Sequence, residues 1–257
     1  MPKRTGQLRG PAALLLVTGV VQAQQYIPEL VAGGGVPPTP VAALSASIDP
    51  ATVISDSKGN VYFASNNCVF KLDATGAITR VAGSSTIMSC SGDGGAAANA
   101  GLAYPAALAF DSAGNLYIAD SNNARVRRVT TDGTINPVVG NGTAGLAGDG
   151  GPAISASLNT PRGLAFDAAG NLYISDLAAG RIRKVSRDGT ITTIAGNGDR
   201  LEGAACDYGS GSGDGGPALG AALCQPQGLA LDSAGNLYIG SAYAGVVRKV
   251  TPAQPKP

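Results

Sequence analysis

Short apolar runs of about five residues alternate with turns rich in Asp, Gly and Asn along almost the whole chain. Between residues 105 and 139 the pattern reads as four strands: Ala107–Phe110, Leu116–Ala119, Arg125–Thr130 and Ile135–Val139. β-branched and aromatic residues in runs of this length, bounded by turn residues, predict strands rather than helices. The first break is Asp111-Ser-Ala-Gly114-Asn115, where Gly and Asn accept left-handed backbone. The second is Asp120–Ala124, and the third, Thr131-Asp132-Gly133-Thr134, carries the Asp-Gly pair of a tight hairpin.

The pattern recurs four times. Segments 50–63, 105–118, 161–174 and 226–239 read PATVISDSKGNVYF, PAALAFDSAGNLYI, PRGLAFDAAGNLYI and PQGLALDSAGNLYI. Their turn aspartates, Asp56, Asp111, Asp167 and Asp232, recur at intervals of 55, 56 and 65 residues. A β-rich unit of that length predicts an all-β fold, a β-propeller of four four-stranded blades. The third repeat continues through Arg181–Ser186 and Ile191–Ala195, and the first through Val69–Leu72 and Ile78–Ala82. The fourth reaches Val246–Thr251 and then meets Pro-Ala-Gln-Pro-Lys-Pro, which cannot extend a ladder. Near the other end, Tyr26–Ala32 precedes Gly33-Gly34-Gly35, as Ile191–Ala195 precedes Gly196-Asn197-Gly198. The expectation is that this N-terminal strand pairs with the last blade and closes the ring, giving sixteen strands.

Composition narrows the class. Charged residues make up 14% of the chain, against about a quarter in an average soluble domain. Lys3, Arg4 and Arg9 precede the apolar run Ala12–Val21 and the small-x-small triplet Val21-Gln22-Ala23. That is the layout of a secretory signal peptide over residues 1–23, an uncleaved anchor being the other reading. Residues 24–251 then form the propeller and 252–257 a Pro-rich tail. Cleavage removes three positive charges and takes the formal charge from +1 to −2. A mildly acidic protein without a basic run is a poor nucleic-acid binder. The expected location is secreted or periplasmic, with no membrane contact after cleavage.

Four cysteines, Cys68, Cys90, Cys206 and Cys224, in an exported chain suggest two disulfides. Sequence proximity favours Cys206–Cys224 and Cys68–Cys90, though three connectivities are possible. Zinc is disfavoured, because no Cys-x-x-Cys occurs and the chain has no His.

Length variation falls on the connections between blades, which share a face with the loops joining second and third strands. These connections contain Asp93, Asp149 and Asp214, each in a Gly-Asp-Gly-Gly sequence followed by an Ala-rich stretch. Two readings stay open. The carboxylates form a ring at the channel mouth that could hold calcium, or each caps a short helical turn. A second pattern couples Asp120 with Arg125 and Asp176 with Arg181, while the other blades have Ser65 with Cys68 and Ser241 with Val246. This predicts an Asp–Arg pair across the hairpin, either structural or holding a polar ligand. Tyr62, Tyr117, Tyr173 and Tyr238 recur at one strand position and are expected to pack blade against blade. Arg127, Arg128, Arg183, Lys184, Arg248 and Lys249 on the third strands are expected to snorkel at the blades' outer part.

Pro161-Arg-Gly-Leu-Ala-Phe-Asp-Ala-Ala-Gly-Asn-Leu-Tyr-Ile-Ser-Asp176, followed by Arg181-Ile-Arg-Lys-Val185, resembles the repeat of the NHL family of β-propellers, as do its counterparts over nearly all of residues 24–251. The resemblance implies blades around a central channel, used mostly as binding scaffolds. It also departs from the family, whose propellers often have six blades. A small closed ring, a piece of something larger, or a ring built from several chains would each explain the count.

Without histidine there is no imidazole for general-base work, no Gly-x-Ser-x-Gly elbow occurs, and glutamates are few. The leading expectation is an exported module that presents its long inter-blade loops to a protein, peptide or glycan. The alternative is a metal-dependent hydrolase or lyase using carboxylates at the channel mouth.

Overall fold

The computed structural model describes residues 50–84, 89–199 and 213–252, together with the backbone of Val41–Ala42. The fold is all-β: four antiparallel sheets, one per repeat, arranged as the blades of a four-bladed propeller. Blade 1 contains β1 (Val41–Ala42), β2 (Thr52–Ser55), β3 (Val61–Ser65), β4 (Cys68–Leu72) and β5 (Ala77–Ala82). Blade 2 contains β6 (Pro105–Phe110), β7 (Leu116–Asp120), β8 (Arg125–Val129) and β9 (Ile135–Val139). Blade 3 contains β10 (Pro161–Phe166), β11 (Leu172–Asp176), β12 (Arg181–Val185) and β13 (Ile191–Ala195). Blade 4 contains β14 (Pro226–Leu231), β15 (Leu237–Ser241) and β16 (Val246–Val250).

The strand distribution differs from four equal sheets. Blade 1 has a fifth strand, because Val41 and Ala42 pair with Ile78 and Ala77 outside β5. Blade 4 has three strands among the described residues. The expected clasp, Tyr26–Ala32, lies outside them, as do residues 1–23 and 253–257. No helix among the described residues is long and apolar enough to cross a membrane.

The repeated turn explains why each blade begins the same way. Asp111 Oδ1 accepts the N–H groups of Ala113 (3.0 Å) and Asn115 (2.9 Å), and its Oδ2 accepts the Asn115 side-chain amide (2.8 Å). Asp56 and Asp232 make the same set, and Asp167 bonds Asn171 through both oxygens. Gly114 sits at φ +83°, open to glycine at little cost. Side chain and backbone thus fix the hairpin locally, before any blade packs.

Packing then joins neighbours. Apolar clusters fill the spaces between blades 1 and 2, blades 2 and 3, and blades 3 and 4. Tyr62, Tyr117 and Tyr173 lie at these seams, as the sequence predicts, whereas Tyr238 of blade 4 is in none of these clusters. Tyr62 meets Phe110 edge-on at 5.0 Å and Tyr117 meets Phe166 at 4.8 Å, each pair bridging adjacent blades. Such pairs are worth about 0.5–1.5 kcal/mol beyond area burial.

Candidate functional site

The innermost strands of all four blades line one cavity of about 370 Å³. The residue after the repeated proline lines it in every blade and is not the same in all: Ala51, Ala106, Arg162 and Gln227. Blades 1 and 2 therefore contribute methyl groups, while blades 3 and 4 contribute a guanidinium and an amide.

The chain enters blades 2, 3 and 4 through a left-handed residue placed immediately before proline: Tyr104 (φ 55°), Thr160 (φ 65°) and Gln225 (φ 42°). Non-glycine residues seldom adopt this region, and residues before proline favour extended backbone. Tyr104 is held there by its N–H, which donates to Asn67 Oδ1 of blade 1 at 2.8 Å. Its ring is partly exposed, and the Arg162 guanidinium lies 4.5 Å from the ring centroid. Arg162 Nη1 also donates to the Tyr104 hydroxyl at 3.1 Å. A contact chain Asn67–Tyr104–Arg162 thus runs across three blades at the cavity. Among the described residues no carboxylate lies within ion-pair distance of Arg162.

Hydrogen bonds tie the inner strands to the neighbouring blades. The Ser175 hydroxyl donates to the Gln227 carbonyl at 2.6 Å, and the Ser121 hydroxyl donates to that of Pro161. Each ties a blade to the inner strand of the next. Gly163 is required at the first of these seams, since a Cβ there would stand 2.1 Å from the Gln227 carbonyl oxygen.

Asp93, Asp149 and Asp214 do not gather at the channel. Each pairs with the arginine 34 residues later on a third strand: Asp93 with Arg127, Asp149 with Arg183 (2.8 Å) and Asp214 with Arg248 (2.9 Å). The same arginines donate to carbonyls 26 residues earlier, on Gly101 (2.7 Å), Ser157 (3.2 Å) and Ala222 (3.2 Å). This geometry replaces both sequence readings of the aspartates. The carboxylates are on separate blades, and the 3-10 turns that follow have Ala96, Pro152 and Pro217 at their N-caps with no side-chain cap bond. Among the described residues no group of three or more His, Cys, Asp or Glu side chains could hold a metal ion. Arg127 and Arg183 are fully buried, so they do not snorkel. Lys184 and Lys249 do run outward, over the Tyr173 and Tyr238 rings.

The pairing across the hairpin also differs. Asp120 and Arg125 are opposite each other in register, as are Asp176 and Arg181, yet the side chains part. The buried Asp120 accepts the Ala103 N–H at 2.7 Å and the Asn123 amide at 2.8 Å, and its nearest cation is Arg127 at 3.7 Å. Burial pushes its carboxyl above the usual carboxylate range, against the lowering by these partners. Arg125 turns away and donates to the Asn141 carbonyl at 2.9 Å. Asp176 accepts the Asn159 N–H at 2.6 Å, and Arg181 lies against Gly198. With its hydrogen bonds made inside the fold, Asp120 is anchoring the connection rather than facing a ligand.

Cys68 and Cys90 are free thiols, contrary to the expected bond between them. Cys68 is buried among Phe63, Phe70 and Ile78 of blade 1, whereas Cys90 lies near Arg127 and Asp93, so the two face different surroundings. Cys224 is disulfide-bonded, and its expected partner Cys206 lies outside the described residues.

Tyr104, Arg162 and Gln227 were not among the sequence candidates. Their signal is variation inside the repeat: Pro is followed by Ala, Ala, Arg and Gln in turn.

Two stretches match family descriptions: residues 102–129 match the NHL repeat, and residues 142–207 the teneurin NHL domain. Human teneurin-4 is 33% identical over 155 residues, which cover 52% of this chain and 6% of that protein. Mouse teneurin-3 is 36% identical over 99 residues, 34% of this chain and 4% of that one. The chain therefore corresponds to a small part of these relatives. Among solved structures, a structural genomics protein of unknown function from Bacteroides thetaiotaomicron VPI-5482 superposes with a TM-score of 0.58 at 24% identity, covering 77% of this chain and 46% of that one. An auxiliary nutrient binding protein from Bacteroides ovatus ATCC 8483 superposes at 0.53 with 19% identity, over 77% of this chain and 46% of that one. These likenesses bear on fold alone. Four blades, each built on the same Asp-x-x-Gly-Asn hairpin, make the chain a β-propeller, and over residues 102–129 and 142–207 it is similar to the NHL repeat and the teneurin NHL domain.

Proposed function

We propose that this chain is an exported binding module that takes a protein, peptide or glycan ligand over the face bearing its inter-blade connections, with Arg162 and Tyr104 at the centre of the contact. The observation that carries this reading is the Arg162 guanidinium. It stacks on a partly exposed tyrosine beside the central cavity, without a carboxylate partner among the described residues. Such a pair offers an aromatic surface and a charge-assisted donor, the residue types that dominate binding hot spots. The strained backbone at Tyr104 supports the same reading, since such conformations cluster where side chains must be aimed. A rigid platform loses little entropy on binding. The N-terminal sequence pattern and the disulfide at Cys224 support export.

The test is a screen of the mature chain against a displayed peptide library, an extracellular protein array and a glycan array. Hits are then re-measured with Arg162→Ala and Tyr104→Ala. Loss of about tenfold or more in affinity with each variant, at unchanged melting temperature, is the expected result. Hits that bind both variants as tightly as the parent would overturn the assignment of this face.

A further inference from the structure

Among the described residues, the outer edge of blade 4 differs from that of every other blade. In blades 2 and 3, the outer strand is gripped from two sides. One side is the third strand, where Ile135 pairs with Val129 and Ile191 with Val185. The other is the Gly-Asp-Gly-Gly connection. Gly94 N–H donates to the Ile135 carbonyl (2.8 Å), Ile135 N–H to Gly95 (3.1 Å) and Ala97 N–H to Gly133 (2.8 Å). Gly150, Ile191 and Ala153 repeat these bonds at 2.8, 3.0 and 2.8 Å.

Blade 4 carries both halves of this grip. β16 is present with the register of β8 and β12, and Gly213-Asp214-Gly215-Gly216 is placed by the Arg248–Asp214 pair as in the other blades. Among the described residues, the Gly215 and Ala218 N–H groups have no counterpart of the Gly94 and Ala97 bonds. Between the two halves runs a groove of about 910 Å³, lined in part by Tyr173, Ile194, Leu219, Val247 and Val250. Val247, which also lines this groove, is 72% exposed, while Val69, Val126 and Ile182 at the same register position are fully buried in the clusters they form with the following blade.

We propose that this groove is a docking site for one extended strand of a partner polypeptide, added antiparallel to β16 with a β-branched apolar residue where Ile135 and Ile191 stand. The occupants of the equivalent places define the chemistry: Ile135-Asn-Pro-Val-Val139 and Ile191-Thr-Thr-Ile-Ala195, each preceded by Gly-Thr and followed by Gly. Main-chain bonds to β16, Gly215 and Ala218 supply affinity, and the buried isoleucine position supplies selectivity. This chain's own Tyr26–Ala32 fits that specification poorly. Aligning Ala32-Gly33 with Ala195-Gly196 sets Pro28 at the Ile191 position, and proline has no N–H for the Gly216 carbonyl. The groove is separate from Arg162 and Tyr104, so this proposal and the proposed function can fail independently.

The probe is a synthetic peptide with the sequence of residues 188–198, Asp-Gly-Thr-Ile-Thr-Thr-Ile-Ala-Gly-Asn-Gly, titrated calorimetrically into the full chain. The expected result is saturable one-to-one binding. It weakens at least about tenfold when the peptide's first isoleucine is replaced by proline, and again with Val247→Asp in the protein. The proline peptide leaves the protein untouched, so a folding defect in the variant cannot mimic the result. Absence of saturable binding, or binding indifferent to both changes, overturns the proposal. So does binding that appears only after Leu30→Asp, which would mean that the chain's own upstream segment holds the edge.

Discussion

Removing Asp149 should cost far more than removing Asp214, although the two occupy the same place in their repeats. Arg183 is fully buried, and two of its hydrogen bonds, from Nε (3.1 Å) and Nη2 (2.8 Å), go to Asp149. Asp149→Ala leaves that guanidinium inside the blade with only the Ser157 carbonyl at 3.2 Å. Breaking a fully buried pair costs about 3–5 kcal/mol. The Asp149 side chain is 38% exposed, so solvent screens part of the interaction and about 2–3 kcal/mol is expected. The Asp149 carboxylate also accepts the Thr193 hydroxyl at 2.6 Å, a bond lost in the same variant. In blade 4, Arg248 is 11% and Asp214 72% exposed, and Asp214→Ala should cost about 0–1 kcal/mol. For a chain of this size the two changes correspond to melting-temperature losses of roughly 4–12 °C and under about 4 °C. Urea denaturation of both variants reads the difference directly. A third variant, Asp149→Ala with Arg183→Met, should be more stable than Asp149→Ala alone, because the orphaned charge is gone. Equal losses for Asp149→Ala and Asp214→Ala, or a double variant worse than the single, would refute the argument that burial sets the value of these pairs.

Three further outcomes are expected. Gly163→Ala should lose about 1–3 kcal/mol, because its Cβ would meet the Gln227 backbone, whereas Gly228→Ala, with nothing within 4 Å, should be nearly neutral; matched urea curves decide. Hydrogen bonds from Asn60 and Asn236 hold the Asp56 and Asp232 carboxyls below their ordinary 3.8. Their contribution is present above that pH and is lost as pH falls through the lowered values, so the melting temperature should drop on acidification below about 4 and drop less in Asp232→Asn. An identical acid profile for that variant would remove the claim. Burial raises the Cys68 and Cys90 thiols, so both should alkylate slowly at neutral pH in the folded chain and quickly after unfolding without reductant, while Cys224 stays unmodified in mass spectra.

Local chemistry explains what could be read from the sequence. The hairpin Asp111-Ser-Ala-Gly-Asn115 closes on its own side chains, so its strands and turns are legible from five residues. Tyr62 and Tyr117 are legible because one strand position repeats against one neighbour. The buried arginines are not. Reading along the chain pairs Asp120 with Arg125 because they face each other across a hairpin, but the native partner of Arg127 is Asp93, in the preceding connection. The constant spacing of 34 residues in all three blades was the available signal. Its absence in the first repeat, where Val36 and Phe70 stand at those positions, agrees with it. The cavity edge is hidden for another reason: Arg162 is informative because it breaks the repeat, and repeat logic discards such positions.

The account rests most on sheets that are alike in sequence but unequal at their outer edges. Amide hydrogen exchange of the full chain, followed at β8, β12 and β16 in one sample, tests that most directly. Protection of the Arg128 and Lys184 amides, which point to the outer strands β9 and β13, far outlasting that of the equivalent Lys249 amide is the result expected for an open fourth edge. Equal protection of the three strands would mean that a strand already covers β16, and would contradict the account.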